Sequence, residues 1–272
     1  VSVTLPELMA TFERIAPLAF AEAWDNVGLL IEPYRERQRD VSTISQLVLT
    51  IDLDDGVVSE AQAVGAELIV AYHPPIFSGL KRIRSSQPEE RCVARCLAHG
   101  IAVFSPHTAL DAAPAGVNDW LLDAFGAGQR SPCVPHPRDA RFGQGRRLEL
   151  IEPLSLELAL ERVKAHLGLA HLRVAAAERH VAGELLKNVA VCAGSGGSVF
   201  EQLDGFDLYV TGELRHHDVR SKLARGASVL LCDHSNTERG YLPRLAQRIA
   251  RECDEQVVCH VAHTDREPLR VL

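Results

Sequence analysis

Short apolar runs bounded by turn residues recur along this chain, and nearly every one leads into a segment whose apolar residues repeat at helical spacing. Strands that alternate with helices cannot be joined by tight hairpins, so the pattern predicts an α/β fold with largely parallel pairing. The expected strands are 28–31, 46–51, 68–71, 102–105, 147–151, 172–174, 188–192, 208–211, 228–232 and 256–261. The expected helices include 6–15, 55–64, 88–98, 116–124, 156–166, 217–225 and 241–252. Between them, 126–145 carries Pro132, Pro135, Pro137 and several glycines without a sustained period, and reads as a connection between lobes.

Two parts of the chain echo each other. Gly65-Ala66-Glu67-Leu68-Ile69-Val70-Ala71-Tyr72-His73 runs alongside Gly205-Phe206-Asp207-Leu208-Tyr209-Val210-Thr211-Gly212-Glu213, so that His73 and Glu213 share a slot. A duplicated unit would present side chains at corresponding strand ends. The competing explanation is that any two strand-helix-strand units with similar turns look alike.

The chemistry-bearing residues gather after the apolar runs. His107-Thr108-Ala109-Leu110-Asp111 and His234-Ser235-Asn236-Thr237-Glu238 each set a histidine four positions before a carboxylate, directly after an expected strand. Imidazole nitrogen with carboxylate oxygen suits zinc, manganese or iron, and two such sets suit a two-metal centre. His73 ends a third run and precedes Pro74-Pro75, which hold the strand exit extended. Ligands in open α/β sheets collect beyond the carboxyl ends of strands, where all three histidines fall. Each phrase also has a plainer reading: Asp111 as a helix N-cap, Ser235 or Asn236 as the cap of a turn, and His73 as a loop histidine bonded to backbone. Asp233, beside His234, is a further candidate acceptor behind the ligands.

Glu213, His216 and His217 cluster in T-G-E-L-R-H-H-D. Neighbouring helical residues point about 100° apart, so the two histidines do not both face one small site, and substrate contact or proton transfer by Glu213 and His216 is the expectation. Gly194-Ser195-Gly196-Gly197-Ser198 opens a helical pattern like a phosphate-cradling turn but lacks the lysine and hydroxyl of a Walker loop; most such turns are simply tight.

Composition narrows the function classes. With 29 basic against 36 acidic residues the net charge is −7, which gives no footprint for nucleic acid; Lys81, Arg82 and Arg84 form only a local cluster. The 7 cysteines are scattered, odd in number and never spaced as C-x-x-C, in keeping with a reducing compartment. No run of about 18 apolar residues offers a membrane span, and the first residues lack a signal pattern, so a soluble, cytoplasmic protein is expected. The chain as given starts at Val1, which leaves a processed leader open.

Read together, W-D-N-V-G-L-L at 24–30, Y-H-P-P-I-F at 72–77, S-P-H-T-A-L-D-A-A-P-A-G-V-N-D-W-L at 105–121, T-G-E-L-R-H-H-D at 211–218 and C-D-H-S-N-T-E-R-G at 232–240 resemble the GTP cyclohydrolase I type 2 homologue family, also called the NGG-interacting factor family. The matches run in family order to T-D-R-E-P-L at 264–269. The resemblance implies two intertwined, related α/β lobes with a dinuclear metal site in the cleft between them, in a homohexamer built as a trimer of dimers. On this chain the lobes are drawn as 1–125 with 236–272, and 126–235. The resemblance implies metal ligation by His73, His107, Asp111, His234 and Glu238, with Glu238 bridging two divalent ions. Many bacterial members have two adjacent histidines where this chain has Tyr72-His73, so the two metal positions need not be equal. The implied activity is hydrolysis of a small, nucleotide-like molecule: in the GTP cyclohydrolase version the purine imidazole ring opens and formate leaves. The same ligands would serve a phosphoesterase. The rival expectation is a metal-binding interaction protein without turnover, acting as a scaffold, metal carrier or transcription-associated partner.

Overall fold

The computed structural model describes residues 2–34 and 43–271. By contact the chain divides into two compact units, Val1–Leu110 with Tyr241–Arg266, and Asp111–Gly240 with Glu267–Leu272. The sequence reading drew its boundaries at 125 and 235 instead.

The first unit is built on a five-stranded sheet in the order Val258–Val261, Gln46–Thr50, Leu68–Ala71, Ala102–Ser105, Gly28–Ile31. The first four strands are mutually parallel and Gly28–Ile31 closes the edge antiparallel. Leu47, Val48, Leu49, Leu68, Ile69 and Val103 have no exposed surface, because both faces of a parallel sheet are covered and its strands therefore read as unbroken apolar runs. Val48, Ile69, Ala71 and Val103 face the helices Asp55–Ala63 and Pro88–Ala98, which contribute Val57, Val58, Ala61, Cys92, Val93 and Cys96. Alternate residues point the other way: Val70 and Phe104 meet Phe12, Leu245 and Ile249 around a small apolar gap, with Phe12 stacked on Phe104 at 4.3 Å.

Two helices supply that layer. Leu5–Ile15 starts at a capping box in which Thr4 and Glu7 satisfy each other's backbone N–H. Leu242–Glu252 buries Leu242, Leu245, Ala246 and Ile249 at helical spacing and turns its arginines outward. Each large side chain buried there contributes about 2 kcal/mol, so a charge at Leu245 would release the helix.

The second unit carries a six-stranded sheet in the order Gly128–His136, Asp139–Leu154, Leu186–Ser195, Leu208–Glu213, Ser228–Leu231, Arg173–Ala175. Its three consecutive strands from Leu186 to Leu231 are parallel, and the flanking pairings are antiparallel. The first unit thus holds four parallel strands and the second three, and the two segments that echo each other in sequence supply an interior strand of each set, Leu68–Ala71 and Leu208–Glu213.

The stretch 126–145 corrects the sequence reading. It is no linker: most of it belongs to a long hairpin formed by Gly128–His136 and Asp139–Leu154. Pro132 and Pro135 sit in the outermost strand, which has a neighbour on one side alone and so tolerates proline better than an interior strand does. Gly143, opposite Pro135 at φ +146°, lies where a Cβ would come within 2.1 Å of the Val134 carbonyl oxygen. The residues that make a strand workable at this edge are those that hide it in sequence. Among the described residues, no helix is long and apolar enough to cross a membrane.

Candidate metal centre

In the first unit, strand register sets the site. Leu49 pairs with Val70, and Val70 with Phe104. Three positions beyond each of these lie Asp52, His73 and His107, level with one another at the carboxyl edge of three adjacent strands. The alignment continues past the last ladder pairs, with the Tyr72 N–H bonded to the Thr50 carbonyl at 2.9 Å and the His73 N–H to that of Ile51 at 3.0 Å. Gly28 pairs antiparallel with Ser105, which brings the segment before it, with Asp25, to the same edge.

The result is a row of acid, histidine, histidine, acid. His73 Nδ1 lies 2.9 Å from Asp52 Oδ1, and His107 Nδ1 lies 2.8 Å from Asp25 Oδ1. The two imidazoles meet edge to face with centroids 5.4 Å apart. A carboxylate on Nδ1 favours the tautomer that leaves the lone pair on Nε2, the arrangement found behind metal-bound histidines. Burial pushes the Asp25 carboxyl up, but hydrogen bonds from His107 and Thr108 and the charge of His107 outweigh it and hold the group below the usual carboxylate range. Tyr72 is buried against the edge of the His107 ring at 5.8 Å, and its carbonyl accepts the Ser105 hydroxyl at 3.0 Å. His73 is therefore not a loop histidine held by backbone alone.

His107 and Asp111 share the short helix His107–Ala112, whose first residue has φ +28°. Backbone strain of this kind persists only where the surroundings enforce it, and it clusters at functional sites. The capping alternative for Asp111 is not realised, since Gly116 caps the helix Val117–Leu122 without a side-chain bond.

In the second unit, His234 Nε2 lies 3.5 Å from Glu238 Oε1, and His234 Nδ1 lies 3.6 Å from Glu213 Oε1. Glu238 is only 3% exposed. His234 itself occupies the cap position of the turn Ser235–Thr237, with no side-chain capping bond from that turn. Asn236 instead donates to the Cys232 carbonyl at 2.9 Å and Ser235 to Glu267 at 2.6 Å. Thr237 ties the turn to the neighbouring strand, accepting the Gly194 N–H at 2.8 Å and donating to the His234 carbonyl at 2.7 Å.

Gly194 has φ +63°, and a Cβ there would sit 2.7 Å from Glu238 Oε1 and 2.9 Å from His234 Nε2. The glycine-rich turn is thus packed directly on the side chains of the second phrase. Its Gly194 N–H is spent on Thr237, and the helix that follows, Gly197–Glu201, is a bare turn and a half, so a phosphate cradle is not what it builds. Asp111 and Glu238 both act on the Cys192 thiol, whose burial already pushes it well above its ordinary value. That thiol is no nucleophile at neutral pH.

Other expected residues lie elsewhere. Asp233, at φ +64°, pairs with Arg173 at 3.0 Å rather than standing behind His234. His216 starts the helix His216–Ala224, exposed and edge-on to His217 at 5.4 Å, and lines a depression with Arg173, Leu214, Val219 and Leu231. Glu213 ends its strand beside His234 and lines a different depression of about 420 Å³ with Ser195, Ser198, Arg215 and Asp218. Asp25, Asp52, Gly194 and Thr237 were missed as site residues. For Asp25 the signal was present in W-D-N at 24–26, for Asp52 in its place just past an apolar run.

His73 in the first unit, and His234 with Glu238 in the second, are imidazole and carboxylate donors of the kinds transition metals favour. The fit is supported by the carboxylates on both first-unit histidines and by the glycine that leaves room at Glu238.

Comparison with known proteins finds relatives over nearly the whole chain. Residues 3–268 match the family described as Duf34/NIF3 (NGG1p interacting factor 3). The chain is 41% identical to NIF3-like protein 1 of Drosophila melanogaster, over 97% of this chain and 88% of the fly protein. It is 36% identical to NGG1-interacting factor 3 of Saccharomyces cerevisiae, over 98% of this chain and 96% of the yeast protein. The fold is shared with a Bacillus cereus protein related to NIF3, at TM-score 0.86 and 20% identity over 99% of both chains.

Proposed function

The chain belongs to the Duf34/NIF3 family, and from that premise we propose that it is a metal-dependent hydrolase whose two divalent ions are held by His73, His107, Asp111, His234 and Glu238. The observation that carries the reading is the row Asp52, His73, His107, Asp25, in which each histidine has a carboxylate on Nδ1 and so turns Nε2 toward a ligand. Buried Glu238 beside His234, with Gly194 packed against both, supports it from the second unit. Zinc, manganese and iron suit these donors. When bound, two such ions supply Lewis acidity and bring the pKa of an attacking water toward neutrality.

The chain's own residues do the rest. Glu213, exposed and 3.6 Å from His234, carries a proton to or from the reacting group, and the depression it lines receives part of a compact, nucleotide-like substrate. His216, in its separate depression, contacts substrate in this reading. Ring opening of the GTP cyclohydrolase type 2 kind and phosphoester hydrolysis both fall within this chemistry. The same reading includes a cytoplasmic homohexamer, a trimer of dimers, which sedimentation tests.

The test is turnover by metal-reconstituted protein over a panel of nucleotides and phosphoesters, beside an Asp111→Ala/Glu238→Ala variant. Turnover by the unaltered chain alone supports the reading; equal background rates for both proteins on every substrate refute it. A second reading has its own observation: the yeast relative is named for interaction with NGG1. A metal-loaded scaffold or carrier without turnover, with Tyr72 in the slot of a second histidine, would then be the function.

A further inference from the structure

We infer that Asp25 is a positioning residue, a saturated buried carboxylate that fixes the proton of His107 on Nδ1 and thereby presents Nε2. The inference deepens the metal reading above and rests on it only for the identity of what Nε2 meets. Asp25 Oδ1 accepts the Asn26 N–H at 2.8 Å and faces His107 Nδ1 at 2.8 Å. Its Oδ2 accepts the Thr108 N–H at 3.1 Å and lies 2.5 Å from the Thr108 hydroxyl. That hydroxyl also accepts the Glu22 N–H at 2.9 Å, which turns its own proton toward Asp25.

An ionised carboxylate is acceptor-only, with about four lone-pair sites. All four are used here, and the side chain has no exposed surface. Two of the four partners are backbone N–H donors and the Thr108 hydroxyl is turned to donate by the Glu22 N–H, so the carboxylate is held as an acceptor and the fourth, His107 Nδ1, must bring the proton. Asparagine cannot replace it. With its amide nitrogen at the Oδ1 position it would oppose the Asn26 N–H and donate to Nδ1, reversing the tautomer; at the Oδ2 position it would oppose the Thr108 N–H.

His73 has a weaker support. Its Asp52 side chain is 58% exposed, so water can take over the bond when the carboxylate is lost. The two histidines of the first unit are therefore not equivalent: His107 is set by the protein's interior, His73 at its surface.

The experiment is nitrogen NMR of the metal-free full chain labelled at histidine, followed by zinc titration. In the unaltered chain the His107 ring is expected as the Nδ1–H tautomer; finding Nε2–H there overturns the inference without any variant. Asp25→Asn is expected to shift His107 toward Nε2–H and to weaken zinc binding about 10- to 100-fold. Thr108→Val, which keeps the carboxylate, is expected to retain the tautomer. Asp52→Asn is expected to weaken zinc binding less than Asp25→Asn does. A His107 tautomer and a zinc affinity both unchanged in Asp25→Asn refute the positioning role. If the unaltered chain binds no zinc, the metal reading fails, and the tautomer of His107 still decides the role of Asp25.

Discussion

Replacing Gly194 by alanine puts one methyl group against the two side chains of the second phrase. The backbone there has φ +63°, a left-handed conformation that costs a residue bearing a Cβ about 1–2 kcal/mol. The Cβ would also stand 2.7 Å from Glu238 Oε1 and 2.9 Å from His234 Nε2, short of ordinary contact at 3.4 Å by 0.7 and 0.5 Å. Coordination tolerates displacements of only about 0.2 Å, so moving either atom by that much takes it out of a metal's first sphere. We expect Gly194→Ala to lose about 1–2 kcal/mol of stability in urea melts and to bind zinc or manganese at least about tenfold more weakly, a further 1.4 kcal/mol. Titration calorimetry on the reconstituted full chain measures the second quantity. Gly197→Ala is the control, since a Cβ there meets nothing within 4 Å. Metal affinity in Gly194→Ala equal to that of Gly197→Ala would show that His234 and Glu238 do not hold the ion.

Three further outcomes follow from single groups. His180 is buried against the Ser228 hydroxyl at 2.7 Å, and burial, with the Arg179 charge, depresses its pKa below the ordinary 6.5. Its contribution is therefore complete above pH 6.5 and is lost as the pH falls through the lower folded value; His180→Asn should flatten the stability profile in that window, and an unchanged profile refutes the assignment. Asp207 accepts the Lys187 and Asn188 N–H groups at 2.7 and 2.8 Å and pairs with Arg179 at 2.5 Å, so Asp207→Asn should cost about 2–4 kcal/mol by urea melt; a loss under about 1 kcal/mol contradicts it. Trp24 is 61% exposed with its ring 6.1 Å from that of His107, so cobalt(II) should quench its emission; quenching that persists in full in Trp24→Phe contradicts ligation by His107.

The parts of the fold legible in sequence share one physical cause. Strands such as Leu68–Ala71 and Ala102–Ser105 are buried on both faces, so their apolar runs are continuous and their ends sharp, and a histidine just past such an end is conspicuous. The outer hairpin was hidden because an edge strand tolerates the prolines and glycines that otherwise signal a linker. Asp25 was hidden for a different reason. Its bond to His107 spans 82 positions, and only the antiparallel register of Gly28–Ile31 against Ala102–Ser105 brings the two together. Asp52 reaches His73 across 21 positions by parallel register, which no local spacing records. The Gly194 turn was visible as a tight turn, but its place against Glu238 and His234 was not, because a glycine required by close packing and one required by a phosphate look alike until the neighbouring side chain is seen.

The central claim is that the two histidine phrases and His73 hold metal. Elemental analysis after reconstitution of the full chain with zinc, manganese or iron, followed by removal of unbound ions, tests it most directly. The account predicts up to two ions per chain, with a clear loss in the Asp111→Ala/Glu238→Ala variant. No bound metal with any of the three ions, or the same content in the variant, would contradict it.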